Sequence, residues 1–169
     1  MKSKILKAVP NNEEGSLHPD EDDAPLFTIG IIAKMIGVSV HTLRLYESSG
    51  LIVPHRTDSK RRIYSRNDVR RLSSIRYLIE ERGLNLAGIK MLLSLIPCWD
   101  IKGCSDEDRS NCDAFSKMVE PCWVIANKSD KCLNDKCWEC PVYTQFTSFQ
   151  EIKGRLSCLD KEEDVSSDD

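Results

Sequence analysis

All eight cysteines of this 169-residue chain lie between Cys98 and Cys158, and the first 97 residues contain none. The opening stretch MKSKILKAVPNNEE has no apolar core long enough for a secretory signal, so we expect a cytoplasmic protein, in which disulfides are rare. A cysteine cluster in that compartment is typical of metal-binding or redox-active modules. We therefore predict two parts that meet near Pro97, the second of them small and stabilised by a metal.

The charge of the chain divides at the same place. Residues 26–96 carry 12 basic and 5 acidic side chains, whereas residues 97–169 carry 9 basic and 16 acidic ones. A compact basic block between acidic flanks indicates a module that binds a polyanion. Residues 1–25 and 159–169 are polar and acidic, and we predict that both are disordered, which leaves residues 97–158 as the cysteine-rich module. No stretch approaches the roughly 20 apolar residues of a membrane helix, so no membrane partner is expected.

The basic block begins with the pattern of two short helices and a hairpin. Thr28 and Ser39 are predicted N-caps of the helices IGIIAKMIG and VHTLRLYES, which are separated only by Gly37-Val38-Ser39. A three-residue turn that contains glycine between two short helices predicts a helix-turn-helix. Two β-prone segments, Leu51–Val53 and Arg62–Tyr64, flank a polar loop and predict a hairpin, or wing.

Two further helices complete this block, so the predicted fold class is mainly α. Ser65 followed three residues later by Asp68 is typical of a capping box at the start of a helix that stops at Gly83. Asn85 is the predicted N-cap of the last helix, which Pro97 ends. The apolar positions expected to form the core are Ile32, Ile36, Leu43, Leu72, Ile75, Ile79, Ile89 and Leu93.

The second short helix carries a polar face suited to DNA. His41, Arg44 and Ser48 fall at positions i, i+3 and i+7 and share one face, whereas Val40 and Leu43 are expected to turn toward the core. In the major groove an arginine can bind guanine through two hydrogen bonds, and a histidine or threonine can donate to base edges or phosphates. This helix is therefore the predicted recognition helix.

The wing holds five basic side chains within eight residues, namely His55, Arg56, Lys60, Arg61 and Arg62. A charge run of this kind is often only a solvated loop. Beside a helix-turn-helix, however, it favours contacts with phosphates and with the minor groove.

The stretch Phe27–Leu78 resembles the winged helix-turn-helix of MerR-family transcription regulators. The matching motifs are F-T-I-G, T-L-R-x-Y-E, G-L-I-x-P-x-R, R-x-Y and D-V-x-R-L, and the NLAGIK segment is similar to the HspR- and GlnR-like branches. The resemblance implies that Arg44 and Tyr46 hold DNA from the recognition helix and that Arg56, Arg62 and Tyr64 fix the wing on the DNA backbone. The expected DNA-binding residues are Ser39, His41, Thr42, Arg44, Tyr46, Arg56, Lys60, Arg61, Arg62 and Tyr64.

The resemblance also implies partners, namely double-stranded promoter DNA, a second copy of the chain, and RNA polymerase at the promoter. Members of the family usually dimerise through a long helix that directly follows this module. Here Pro97 interrupts that helix, so dimerisation is expected from residues 84–96, from the cysteine region, or from both.

The cysteine region contains an internal repeat. Each copy starts with Pro-Cys-Trp and ends with a cysteine, one intervening residue, a small apolar residue and an aromatic one. The first repeat runs over residues 97–115 and the second over residues 121–143. This frame resembles small Cys-Trp repeat modules of some bacterial signalling proteins, to which metal or iron–sulfur binding is attributed. The candidate ligands are Cys98, Cys104, Cys112, Cys122, Cys132, Cys137, Cys140 and Cys158.

Thiolates are soft ligands, and sets of four satisfy either an iron–sulfur cluster or zinc. The cysteine spacing contains one CxxC pair, whereas zinc ribbons favour two, so we predict an iron–sulfur cluster with zinc as the alternative. A disulfide redox switch and plain burial of small side chains remain open. Tryptophans next to the cysteines would shield a cluster from water, or would only fill the core.

Together these features predict a sequence-specific transcription regulator whose cysteine module senses metal, redox state or cluster status. The alternative is an architectural or excisionase-like DNA tether whose zinc module docks a protein partner. An enzyme is not expected, because no nucleophile and base are paired in the sequence. Because its surplus acidic charge would repel DNA, the cysteine module is expected to pack away from the duplex.

Overall fold

A computed structural model describes residues 22–117, 119–133 and 136–159, without the side chains of Cys158 and Leu159. The segments predicted to be disordered lie largely outside these residues. The short part of the N-terminal segment that is described packs on the protein, because Asp22 forms an ion pair with Arg70 at 2.7 Å and Asp23 accepts a hydrogen bond from Asn67.

The helix-turn-helix is formed by α1 (Ile29–Ile36) and α2 (Val40–Ser48), which meet at 102°. This angle lies within the range that is usual for the motif. Gly37 in the turn has a φ of +68°, a backbone conformation that favours glycine. The side chain of Ser39 accepts the amide of Thr42 at 2.9 Å, which confirms that cap. Thr28 occupies the other N-cap position without a capping hydrogen bond among the described residues.

The wing belongs to a three-stranded antiparallel sheet in the order β1-β3-β2, made of β1 (Phe27–Thr28), β2 (His55–Arg56) and β3 (Arg62–Tyr64). The prediction that Leu51–Val53 forms the first arm is wrong. Leu51 and Ile52 are adjacent in sequence and both fully buried, whereas a strand would place them on opposite faces.

Two helices close the first part of the chain, α3 (Arg66–Glu80) and α4 (Leu86–Ser94). The capping box at α3 is confirmed, because Ser65 accepts the amide of Asp68 and the Asp68 carboxylate accepts the amide of Ser65. The side chain of Asn85 caps α4 by accepting the amide of Gly88. The predicted core positions are buried, except that Ile79 is half-buried and Leu78 takes its place.

The second part consists of short helices and turns, which agrees with the mainly helical class. They are α5 (Cys98–Ile101), α6 (Asp106–Ser110), α7 (Asp113–Ser116), 3₁₀ turns at Asp130–Cys132 and Cys137–Glu139, α8 (Pro141–Thr144) and α9 (Phe149–Leu159). Val142, Phe146 and Ile152 join the same hydrophobic core as the helices of the first part. Within the described residues, no single helix is long and apolar enough to cross a membrane, and α1 with α2 meets that test only as a sharply bent pair.

Candidate nucleic-acid interface and cysteine centre

The recognition helix α2 presents the predicted polar face. His41, Arg44 and Ser48 are exposed, and Leu43 is fully buried on the opposite side. Val40 differs from the prediction, because it lies in the first turn of α2 and is 36% exposed rather than turned into the core. The exposed face of α2 therefore presents one histidine and one arginine to a ligand, while its opposite face packs against the core.

An open groove lies between α2 and the wing. Its walls include His41, Arg44 and Ser48 from the helix and Arg56 and Arg62 from the wing. Four of these five side chains can donate hydrogen bonds as cations when the histidine is protonated. The groove thus brings together most of the charged residues predicted to contact DNA, while Lys60 and Arg61 stand exposed at the tip of the wing.

Glu47 ties the wing to the recognition helix, a role that sequence reasoning missed. Its carboxylate accepts a hydrogen bond from Arg62 Nε at 2.6 Å and forms a second ion pair with Arg56 at 3.2 Å. The hydrogen bond to Glu47 raises the pKa of Arg62. The signal that could have found this residue is the final glutamate of T-L-R-x-Y-E, which stands one turn after Arg44 beside a wing rich in arginine.

Two tyrosines predicted to contact DNA are instead part of the core. Tyr46 is 6% exposed and Tyr64 is fully buried. Burial raises the pKa of Tyr64 to about 12. Because both rings pack under the helix-turn-helix and the sheet, their placement does not agree with the direct DNA contacts implied by the resemblance.

The two repeats of the cysteine module share one aromatic contact. In the first, Trp99 packs edge-on against Phe115 with ring centres 5.2 Å apart. In the second, Trp123 packs edge-on against Tyr143 at the same 5.2 Å. Each pair joins the tryptophan that opens a repeat to the aromatic residue that closes it, so the duplication seen in the sequence is also a structural one.

The described cysteines surround two adjacent cavities, each closed by the aromatic pair of one repeat. Cys104 and Cys112 line the first cavity beside Trp99 and Phe115. Cys137 and Cys140 line the second cavity beside the pair of the second repeat. The remaining three, Cys98, Cys122 and Cys132, line both cavities. Seven of the eight candidate ligands are thus brought together, and the side chain of Cys158 lies outside the described residues.

Cys98 and Cys122 hold equivalent positions in the two repeats and meet at the centre of the module. The two thiols share a hydrogen bond, which lowers the pKa of Cys98 and raises that of Cys122. In the described residues, no group of three or more His, Cys, Asp or Glu side chains is spaced to hold one metal ion. The described thiols are instead distributed around the two cavities.

The second repeat is attached to the DNA-binding part by polar contacts. Trp123 donates its indole N–H to the carbonyl of Gly50 at 2.8 Å, just after the recognition helix. The Tyr143 hydroxyl accepts the amide of Val53 at 2.9 Å and donates to the buried carboxylate of Asp68 at 3.0 Å.

A buried arginine completes this attachment. Arg71 of α3 donates to the backbone carbonyl of Tyr143 and lies over its ring, 4.0 Å from the ring centre. The same guanidinium is 5.5 Å from the centre of the Trp123 ring. The aromatic pair of the second repeat is therefore fixed on the winged helix-turn-helix from two sides.

The cysteine module, expected to pack away from the duplex, contacts the groove between α2 and the wing. Trp123, Val124 and Trp138 form part of the wall of the groove between α2 and the wing. Trp138 also packs edge-on against His55 of the wing, with ring centres 5.6 Å apart. Net charge could not reveal this, because the side chains that make the contact, Trp123, Val124 and Trp138, are apolar or aromatic.

Comparisons with known proteins agree with this geometry. A family model described as "MerR HTH family regulatory protein" matches residues 27–96, the winged helix-turn-helix. The mercuric resistance operon regulatory protein of Bacillus cereus is 32% identical over 127 residues, which cover 69% of this chain and 93% of that protein. The chain belongs to the MerR family of helix-turn-helix regulators. Its relatives are transcription regulators and not enzymes, as predicted.

Other MerR-family relatives support the predicted resemblance to the GlnR and HspR branches. The regulator GlnR of Bacillus anthracis is 45% identical over 74 residues, 44% of this chain and 57% of that protein. HspR of Streptomyces coelicolor, described as a heat shock protein, is 38% identical over 74 residues, 44% of this chain and 49% of that protein. The chain thus spans about half the length of these two relatives.

Proposed function

We propose that this MerR-family chain is a sequence-specific transcription regulator that binds promoter DNA in the cytoplasm as a homodimer, with RNA polymerase as a further partner at the promoter. The observation that carries the proposal is the groove in which Arg44 of the recognition helix faces the wing arginines Arg56 and Arg62. MerR-family regulators bind promoter DNA and are typically dimers, which supports the proposal.

The proposal is tested first by selection of binding sites from random double-stranded DNA, followed by titration at several salt concentrations. A dimer that neutralises about 6–10 phosphates should lose on the order of 10³-fold or more in affinity between about 50 and 200 mM salt. The selected sites should contain two half-sites about 34–36 Å apart, which is one helical turn. A flat salt response, or no enriched sequence, would contradict the proposal.

Arg44→Ala tests whether α2 is the recognition helix. If Arg44 reads a base, the change should cost about 1–3 kcal/mol and relax sequence preference at one position of each half-site. Arg82→Ala is the matched control, because Arg82 stacks on Tyr77 beyond the end of α3 and outside the groove. Unchanged affinity and preference for Arg44→Ala would assign recognition to another element.

We further propose that the cysteine module binds an iron–sulfur cluster and senses metal, redox or cluster status. The distribution of seven thiols around two cavities supports this assignment. When bound, a cluster would supply a group that changes with oxidant or iron supply. The chain's own contribution is a set of thiolates and the two aromatic pairs that keep water from the cavities.

Anaerobic purification followed by iron, sulfide and zinc analysis separates this proposal from its alternative. Iron and sulfide in similar amounts, with a brown protein, support the sensor. Colourless protein with stoichiometric zinc would support the architectural tether, in which the module only docks a partner.

A further inference from the structure

The aromatic pair of the second repeat stands between the second cysteine cavity and the DNA-binding part. Trp123 and Tyr143 both line that cavity together with Cys137 and Cys140. The polar atoms of the same two side chains hold backbone atoms of the winged helix-turn-helix. Each of the two residues therefore contacts both the second cavity and the DNA-binding fold.

The two backbone atoms they hold belong to one short connection. Trp123 binds the carbonyl of Gly50 and Tyr143 binds the amide of Val53, so the contacts bracket residues 50–53. This connection joins the recognition helix, which ends at Ser48, to the wing, which begins at His55. A shift of either ring would therefore change the position of the wing relative to the recognition helix.

The chain between each ring and a candidate ligand is short. Cys122 directly precedes Trp123, and Cys140 stands three residues before Tyr143, whose amide donates to the Cys140 carbonyl at 2.8 Å. Because α8 begins at Pro141, this last link is one rigid turn. If either cysteine moves when a cofactor binds, the aromatic residue linked to it would therefore move as well.

The first repeat has a matching pair, Trp99 and Phe115, for which the described residues show no such contacts with the winged helix-turn-helix. Trp99 packs on Phe115, which has no hydroxyl to bind an amide, and the guanidinium beside this ring is Arg109 of the module itself. The added hydroxyl of Tyr143 and the indole bond of Trp123 thus distinguish two otherwise matching pairs. These two polar groups connect the second repeat to the DNA-binding part.

We infer that Trp123 and Tyr143 are positioning residues, through which occupation of the second cysteine cavity sets the connection 50–53 and the angle between recognition helix and wing. The coupling acts within one chain and does not require a change of the dimer. This inference rests on the proposed function, and it names the path by which cofactor status would reach the DNA-binding groove.

The test is DNA affinity in two states of each protein, cluster-free and reconstituted anaerobically with ferrous iron and sulfide. Wild type is compared with Trp123→Phe, Tyr143→Phe and the double variant, on the DNA site selected with the reconstituted wild type. Trp99→Phe is the matched control, because it alters the wall of the first cavity in the same way. Iron and sulfide per chain are measured for every protein, which reports cofactor binding independently of DNA.

We expect wild type to bind DNA at least about fivefold more tightly when reconstituted, the lower end of usual allosteric coupling. The double variant should retain its iron and sulfide yet show a ratio near 1, and each single variant a reduced ratio. Trp99→Phe should keep the wild-type ratio. Because Tyr143→Phe removes a partner from the buried Asp68 carboxylate and from the Val53 amide, far-UV circular dichroism of every variant checks that it is folded.

Two results would overturn the inference, and they are distinguishable. If wild type and the double variant show the same ratio above 1, the chain is a cofactor-dependent regulator but the path does not run through these rings. If wild type itself binds DNA equally in both states, or takes up no iron, the proposed sensing function fails and the inference fails with it.

Discussion

The two repeats of the cysteine module are built alike and placed differently. Both pack a tryptophan edge-on against an aromatic ring at 5.2 Å, and both close a cavity lined by five cysteines. Only the second sets its rings on the recognition helix and wing, through Gly50 and Val53. The comparison shows that two copies of a duplicated unit can keep the same aromatic pair while one copy gains polar contacts with a distant part of the chain.

The largest effect is expected from the cysteines that the repeats share. Cys98→Ser with Cys122→Ser removes ligands from both cavities and should abolish iron and sulfide uptake. Cys137→Ser with Cys140→Ser should empty the second cavity and abolish the dependence of DNA affinity on reconstitution. The matched pair, Cys104→Ser with Cys112→Ser, should lower iron content but spare that dependence. Equal effects of the last two pairs on DNA binding would remove the distinction between the repeats.

Gly50→Ala tests how tightly the second repeat is docked. Gly50 has a φ of +72°, and a Cβ there would overlap Cγ2 of Val124. Gly83→Ala is the control, since Gly83 has a φ of +66° but open space around it. Both should lose about 1–2 kcal/mol of unfolding free energy through backbone strain, and Gly50→Ala about 1–3 kcal/mol more through the overlap. If urea unfolding shows the same loss of unfolding free energy for both variants, the Val124 side chain moves aside at no cost.

Tyr143→Phe should cost about 1–3 kcal/mol of unfolding free energy, because the buried Asp68 carboxylate and the Val53 amide each lose a partner. Tyr77→Phe, at a tyrosine that is 46% exposed, should change stability by no more than about 0.5 kcal/mol. Chemical denaturation of the two variants under reducing conditions measures the difference. An unchanged free energy of unfolding for Tyr143→Phe would show that water replaces the hydroxyl at no cost in stability.

The smallest effect is expected from the indole bond alone. Trp123→Phe keeps the ring on Arg71 and Tyr143 and removes one hydrogen bond, which is worth about 0.5–1.5 kcal/mol. Trp99→Phe, in which the first repeat keeps its edge-on ring, should cost less. The melting temperatures of the two variants are compared. Equal decreases would show that the bond to Gly50 does not distinguish the stability of the two repeats.

Local signals in the sequence were sufficient for the DNA-binding half. The glycine turn at Gly37, the cap at Ser39 and the capping box at Ser65 each depend on residues within four positions, and all three are present. The repeat was also visible, because its Pro-Cys-Trp frame is local.

What the sequence could not predict are contacts between distant residues. The bond from Trp123 to Gly50 joins residues 73 positions apart, and that from Tyr143 to Val53 joins residues 90 apart. The same holds for the tyrosines Tyr46 and Tyr64, whose motifs fit a DNA contact but whose burial depends on the packing of the whole core. Burial of Leu51 and Ile52 likewise overrode their strand propensity.

The most direct measurement of the central claim is hydrogen–deuterium exchange across residues 50–56 in the cluster-free and reconstituted wild type. The amide of Val53 is bonded to Tyr143 and should exchange more slowly after reconstitution, because a filled second cavity holds that ring in place. The end of α4 around Ser94, outside this connection, should show a smaller change. Exchange across residues 50–56 that is identical in the two states, with iron and sulfide bound, would contradict the account.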